Sequence, residues 1–331
     1  MTIIQTNPVV TPPEQRRLMG GAYDLSGAVD AASARALAGL DWEAVHCPLY
    51  ADLPDNEGLV LAEKDRGVVR NDNYELFGVV GREHKILTNA EMFDFADTLL
   101  QTADVSWEAA DARGGALAGG KQPFLALQLG EGVQIAGQDA VNCAILLSNG
   151  HVGNASFVVT AMPIRLSCGN QVLAALRAGK KGIFYHTVQH SGDIASKLGQ
   201  ANAALNMTSA YMREFEALAN RMAEIEFGRE EFDDFLSELI PLSEDAGSRT
   251  KATAEAHRAA FRSNWRNTPT LSEELRGTAW GALNVVTEVI DHGNLDVRKS
   301  RVPAAERLVN SVHFGPGARM RNRAYNILAG V

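Results

Sequence analysis

The chain has 331 residues, is 46% hydrophobic and 21% charged, and carries a net charge of -9. That length allows one large domain or two ordinary ones, with a core that needs no disulfide or metal to hold it. The acidic balance excludes indiscriminate polyanion binding. Three widely spaced cysteines, Cys47, Cys143 and Cys168, with no CxxC pair, support neither a disulfide framework nor a zinc knuckle and fit a reducing compartment.

Along the chain, residues 1–25 read as a flexible segment, because "NPVVTPPEQ" has prolines and polar residues and little periodicity. It lacks the basic and apolar regions of a signal peptide, and no apolar run is long enough to span a membrane, so a cytoplasmic location is expected. "AASARALAGL" fits a short helix. The strand-like runs "EAVHCPLY", "GLVLAEK", "GVVRND" and "YELFGVVG" follow, separated by Asp, Asn and Gly turn chemistry. Thr88 with Glu91 three residues later predicts a capped helix with an apolar face from Met92 to Leu100.

More strands are predicted in "VSWEAADA", "QPFLALQLG", "GVQIAG", "AVNCAILLS" and "SFVVTAMPIR". Glycine-rich "RGGALAGGK" and "NGHVGN" read as hairpin turns. "GNQVLAALRAG" is predicted as a helix. From about residue 191 the pattern is helical: a long alanine-rich segment, "REEFDDFLSELI", "TKATAEAHRAAFRSNWRN" and "SEELRGTAWGALNVVTEVIDH". Strands first and helices after predict an α+β fold. The expected organisation is an antiparallel β-sheet domain with packed helices over 26–190, followed by a mainly helical region, 191–331, packed on it.

Charge is unevenly distributed. Residues 214–245 hold 11 acids against 2 bases, and 298–323 hold 7 bases against 1 acid. In "HRAAFRSNWRN", Arg258, Arg262 and Arg266 recur every four residues, with Phe261 and Trp265 beside them. A helix would line guanidinium groups next to rings, the ingredients of single-strand binding; it equally describes an amphipathic helix with an aromatic core face. "GARMRNRAYNI" alternates Arg319, Arg321 and Arg323, which a strand would point to one side. Lys180 and Lys181 add to such a surface. The acidic segment could instead dock on these bases and remove them from use.

Other motifs are weaker. Gly115-x4-Gly120-Lys121 has the skeleton of a phosphate loop, but Gln122 stands where Ser or Thr should hold magnesium and a strand follows; a glycine-rich hairpin is expected. His186 and His190 lack a third ligand nearby, so no metal or other cofactor is expected. At the strand-to-helix corner, Arg165, Cys168 and Asn170 cluster within six positions. Either Asn170 caps the helix while Arg165 pairs with Glu288 or Asp291, or the corner holds a phosphate. The apolar helix favours the first reading.

These residues carry a family likeness. "RLSCGNQVLAAL", with Arg165, Cys168, Asn170 and Leu173, resembles a signature of the phage/plasmid-like family of unknown function, domain of unknown function 932. "YHTVQHSG", with His186 and Thr187, is similar to its next segment. "TAWGALNVVTEVIDH" matches a family helix at Trp280, Asn284, Thr287, Glu288, Asp291 and His292, and the segment around Asn89, Glu91 and Phe93 matches upstream. The resemblance implies carriage on mobile elements and supplies no activity. From the residues, the expected function is non-enzymatic binding or annealing of single-stranded DNA by a homo-oligomer, with Arg165, Lys180, Lys181, Arg258, Arg262, Trp265, Arg266, Arg319, Arg321 and Arg323 as contacts. A hydrolase or nuclease-like enzyme using Cys168, His186, His190, Asp291 or His292, and a protein-interaction module acting in host takeover, are the alternatives.

Overall fold

A computed structural model describes residues 22–52, 58–129, 132–152, 157–165, 185–187, 194–265, 267–268, 271–292 and 315–330. The elements in order are β1 (Tyr23–Asp24), α1 (Ala31–Leu37), β2 (Ala44–Asp52), β3 (Leu59–Arg70), β4 (Leu76–Gly81), α2 (Asn89–Thr102), β5 (Asp111–Leu117), β6 (Gln122–Gln128), β7 (Val133–Ile135), β8 (Asp139–Ser148), β9 (Val158–Arg165) and β10 (Tyr185–Thr187). The helices α3 (Ile194–Glu224), α4 (Arg229–Leu239), α5 (Ser248–Asn264), α6 (Glu273–Arg276), α7 (Ala279–His292) and α8 (Pro316–Ala329) follow. The fold is α+β, as the order of strands and helices predicts.

Two antiparallel sheets form. The larger runs β1-β5-β6-β8-β9-β10, with β7 also on β8; the smaller is β2-β3-β4. The strands β6 and β8 are apolar almost throughout because both their faces are covered. Leu125, Leu127, Ile145 and Leu147 join a core with α1, α2 and the early part of α3. On the opposite face Phe124, Ala126, Ala144 and Leu146 pack with Leu117. Further along β8, Val141 and Cys143 belong to a second large core built from α3, α4, α5, α7 and α8. The α3 helix therefore contributes Ala201 and Ala204 to one core and Tyr211 to Met222 to the other.

The α2 start follows from its sequence. The Thr88 side chain accepts the Glu91 N–H while Glu91 accepts from the Thr88 N–H, a closed capping box. Glu43, from β2's approach, adds its carboxylate to the N–H groups of Asn89 and Ala90 at 2.7 and 3.0 Å, and Arg35 holds that carboxylate at 2.6 Å. An anion at a helix N-terminus meets both orphan N–H donors and the helix dipole.

Several elements differ from the sequence-based expectation. "GLVLAEK" and "GVVRND" form one strand, β3. "VSWEAADA" is mostly turn, with β5 starting at Asp111 and running through the glycines. "SEELRGTAWGALNVVTEVIDH" is two helices, broken at Gly277–Thr278. The last arginine-rich segment, predicted as a strand, is the helix α8; Ala, Met, Leu and Arg are good helix formers, and Pro316 sits at its first turn.

The hairpin reading of "GALAGGKQ" holds. A short turn, Ala118–Gly120, joins the paired strands β5 and β6. Gly120 has φ of +105°, and a Cβ there would lie 3.1 Å from the Trp42 ring and 3.2 Å from Phe77. Glycine lets the turn close onto those two rings. His151 completes the cluster, stacked on Phe77 with centroids 5.8 Å apart and edge-on to Trp42 at 5.6 Å. The His151 backbone N–H donates to the Lys121 carbonyl at 3.1 Å, which ties the β8–β9 connection to the β5–β6 turn.

Candidate functional site

The arginine stripe of α5 is an internal seam. Arg262 Nε lies 2.6 Å from Asp233 Oδ1 on α4, and its Nη1 lies 2.8 Å from Glu255 Oε1; the pairing raises the guanidinium pKa. Arg258 Nη2 donates to the Ile240 carbonyl at 2.8 Å, at the C-terminal end of α4, where a helix leaves carbonyls unsatisfied and favours cations. Trp265 is 8% exposed and stacks on Phe232 of α4. The expectation that Trp265 stacks on bases is corrected: its ring is spent on α4. The acidic segment docks on the basic one because Phe232, Phe235 and Phe261 must be buried together, and that packing brings the flanking charges into register.

The row Arg319, Arg321, Arg323 is also corrected. On a helix, residues two apart point to nearly opposite sides. Arg319 and Arg323 are exposed one turn apart, whereas Arg321 is 0% exposed and its Nη2 lies 2.7 Å from Asp291 Oδ1 on α7. Neither Arg319 nor Arg323 has an ion pair among the described residues. Burial lowers the Arg321 pKa, and the Asp291 charge opposes that shift.

Asp291 thus has a cation from α8; the sequence-based pairing of Arg165 with Glu288 or Asp291 involves a side chain outside the described residues. Arg165 ends β9 with its backbone opposite Val141. His186 lies on β10 opposite Val159, and His292 is the last residue of α7; the side chains of these three, like Cys168, Asn170, Lys180, Lys181, His190 and Arg266, lie outside the described residues.

The other described motif residues hold the frame. Trp280 is fully buried, and its Nε1 donates to Asp139 Oδ2 on β8 at 2.9 Å, pinning α7 to the large sheet. Asn284 Nδ2 donates to the Trp280 carbonyl, and Thr287 Oγ1 to the Asn284 carbonyl. Asn89, also fully buried, donates its amide to the carbonyls of Leu40 and Trp42 at 3.3 and 2.7 Å. Phe93 stacks on Trp107. Among the described residues no three His, Cys, Asp or Glu side chains form a metal-holding group, and no helix is long and apolar enough to cross a membrane.

Sequence reasoning passed over one surface. The inner face of the small sheet buries Ala44, Val68, Phe77 and Val80 in the first core. The outer face carries paired rows: Val45, Val69 and Leu76, then Cys47, Gly67 and Val79. A Cβ on Gly67 would lie 2.6 Å from Cys47 Sγ, 3.2 Å from Leu49 and 3.3 Å from Leu76, so the glycine lets these side chains close over β3 in one layer. Leu76 is 50% and Val79 57% exposed. Among the described residues seven of the twelve exposed large hydrophobics lie on β2–β4: Val45, Leu76 and Val79 on these outer rows, and Tyr50, Leu59, Val60 and Leu61 at the far end, where the consecutive Leu59, Val60 and Leu61 alternate between the two faces. The alternation apolar-in, apolar-out along β4 was the signal for it, since a strand with one solvated face should alternate with polar residues.

The described motif residues answer one another inside the frame of an α+β chain. The chain belongs to the family described as Domain of unknown function (DUF932), whose model matches residues 76–320. The match begins at β4 and leaves β2 and β3 ahead of it. No curated protein and no solved structure matches the chain.

Proposed function

We propose that this is a non-enzymatic interaction protein that works by docking another protein on the outer face of the β2–β4 sheet. The observation that carries the reading is the pair of adjoining apolar rows on that face, Val45–Val69–Leu76 and Cys47–Gly67–Val79, with Val45, Leu76 and Val79 exposed. Contiguous apolar surface of this kind on a folded chain marks an interaction site. The other five exposed large hydrophobics among the described residues, such as Val29 and Ile225, lie outside these strands. A photo-crosslinking residue in place of Val79, in cells producing the protein, should give a covalent protein adduct that a control at Arg229 does not. Absence of any adduct from position 79 overturns the reading.

Single-stranded DNA binding is the second reading, favoured now by Arg319 and Arg323 alone among the stripe and row residues that the structure describes, because they are exposed and make no ion pair with another described residue. Carriage on a mobile element and a cytoplasmic location fit either reading. A labelled oligonucleotide at low salt should shift with protein at about 1 µM, the scale of non-specific affinities, and release steeply as salt rises. Arg319→Glu with Arg323→Glu should abolish that shift. No shift with the parent protein removes the DNA reading.

A further inference from the structure

We propose that the chain binds an anion of the phosphate class at a basic cluster on the inner side of the small sheet, formed by His46, Arg66 and His84. The cluster lies on the side opposite the apolar outer rows, so it stands independently of the docking reading.

Strand alternation gathers these bases. His46 pairs with Val68 and Arg66 with Val80, and both partners face the first core, so His46 and Arg66 share that side. The ladder runs one pair further, with the Arg82 N–H donating to the Lys64 carbonyl at 2.8 Å. That adds Lys64 and Arg82 at the exposed end of the same side. Asp65, between Lys64 and Arg66, pairs with Gly81 on the other face. Past β4 the chain turns beneath β3, because the His84 ring reaches His46 on the far strand, with centroids 6.3 Å apart.

Hydrogen bonding leaves donors for an anion. Arg66 Nη1 donates to the carbonyls of Asp65 and Glu63 at 2.9 and 3.5 Å, and among the described residues no carboxylate pairs with Arg66, His46 or His84. His84 Nε2 lies 3.2 Å from the His151 carbonyl. A carbonyl only accepts, so Nε2 carries the hydrogen, and Nδ1 becomes a second donor when the ring is protonated.

The field at His46 has one sign. Burial, then His84 and Arg66, hold its pKa below the ordinary value, with no carboxylate opposing them. Around the three lie Lys64, Arg82 and Lys85 as exposed bases, and Glu63, Asp65 and Glu83 as exposed acids that flank them in sequence; His151 meets the cluster through its carbonyl. Gathering like charges costs free energy that a bound dianion relieves, and a guanidinium beside imidazolium donors is suited to hold phosphate oxygens. A divalent metal is the poorer fit: the guanidinium repels it, and no third ligand stands by among the described residues.

Proton NMR of the imidazole C–H resonances tests the site on the full chain, with His46→Gln and His84→Gln assigning the two rings. Inorganic phosphate at pH about 6 should shift both and saturate with a Kd of about 1 mM. Sulfate keeps its charge across this range. It should bind at least about fivefold more tightly at pH about 6 than at about 8, because it binds best where the imidazoles are protonated. His46→Gln, at an exposed position, should reduce that pH dependence and weaken phosphate. Arg66→Gln should weaken phosphate at least about tenfold, the loss of one charge-assisted bond. Adenosine monophosphate, with adenosine as control, separates the sources: binding tighter than inorganic phosphate assigns the site to a nucleotide, and equal or weaker binding to free phosphate, and either sustains the proposal. No shift of either ring at about 20 mM phosphate, or phosphate affinity unchanged in Arg66→Gln, overturns it. Should Arg66→Gln fail to fold, unchanged affinity in His46→Gln does the same.

Discussion

Trp265 lies flat on Phe232, with ring centroids 4.2 Å apart and planes 9° from parallel. The contact seals α4 against α5 and carries Asp233 onto Arg262. It makes an internal joint of a stripe with the composition of a nucleic-acid surface.

Removing the ring should therefore cost stability. Trp265→Ala is expected to lose about 3–5 kcal/mol, the usual cost of a large aromatic in a core. Arg262→Ala, at a half-exposed ion pair, should lose at most about 1 kcal/mol. Urea unfolding of the two variants checks the contrast; similar losses would mean that charge, not packing, holds the joint.

The Arg321–Asp291 pair is buried on both sides. Arg321→Ala takes the guanidinium away from a buried carboxylate and should cost about 3–5 kcal/mol. Replacing both partners with apolar residues of similar size should cost far less than the two single changes summed. A double-mutant cycle on unfolding midpoints measures this. An additive result would show that the two side chains do not act as a pair.

Burial pushes the His151 pKa down to about 4, against the Leu87 carbonyl, which pulls it up. That carbonyl already accepts a hydrogen bond from Asn149 at 2.9 Å. The unfolded chain, with an ordinary histidine near 6.5, binds the proton more readily, so stability rises with pH between about 4 and about 6.5. The slope approaches about 1.4 kcal/mol per pH unit inside that window, about 3 kcal/mol in all. His151→Phe should flatten it. Thermal melts across pH 4 to 7 compare the two proteins, and parallel curves would exclude His151 as the titrating group.

Asn89 satisfies two carbonyls ahead of β2 from the first turn of α2. Asn89→Ala leaves Leu40 and Trp42 short of a donor and should cost about 1–3 kcal/mol. Hydrogen exchange at the start of α2 should rise with it. Unchanged exchange there would mean that Glu43 alone secures the helix start.

The sequence showed these things unevenly. Local rules were readable: the Thr88–Glu91 box, the glycine hairpin before Gln122, the strands β6 and β8, and the long α3 all follow from spacing and composition. The family motifs were visible too. What the motif side chains do was not, because Trp280 finds Asp139, and Arg321 finds Asp291, only after distant elements meet. The α8 arginines misled because a two-residue alternation describes one side of a strand and two sides of a helix. Trp265 misled because aromatic spacing is the same whether rings face a base or Phe232. The outer β2–β4 face was missed because an apolar run such as β4 reads equally well as a strand covered on both faces.

One consequence concerns how the molecule comes apart. The α3 helix is 31 residues, about 46 Å of continuous rod, and it is anchored at its beginning in one interior and along its remainder in the other. A rod clamped at both ends gives denaturant no waist at which to divide the protein: melting either half must loosen the shaft that the other half grips. Heat should meet one joint collapse, and a cut designed to free the helical half would leave each fragment holding a severed axle.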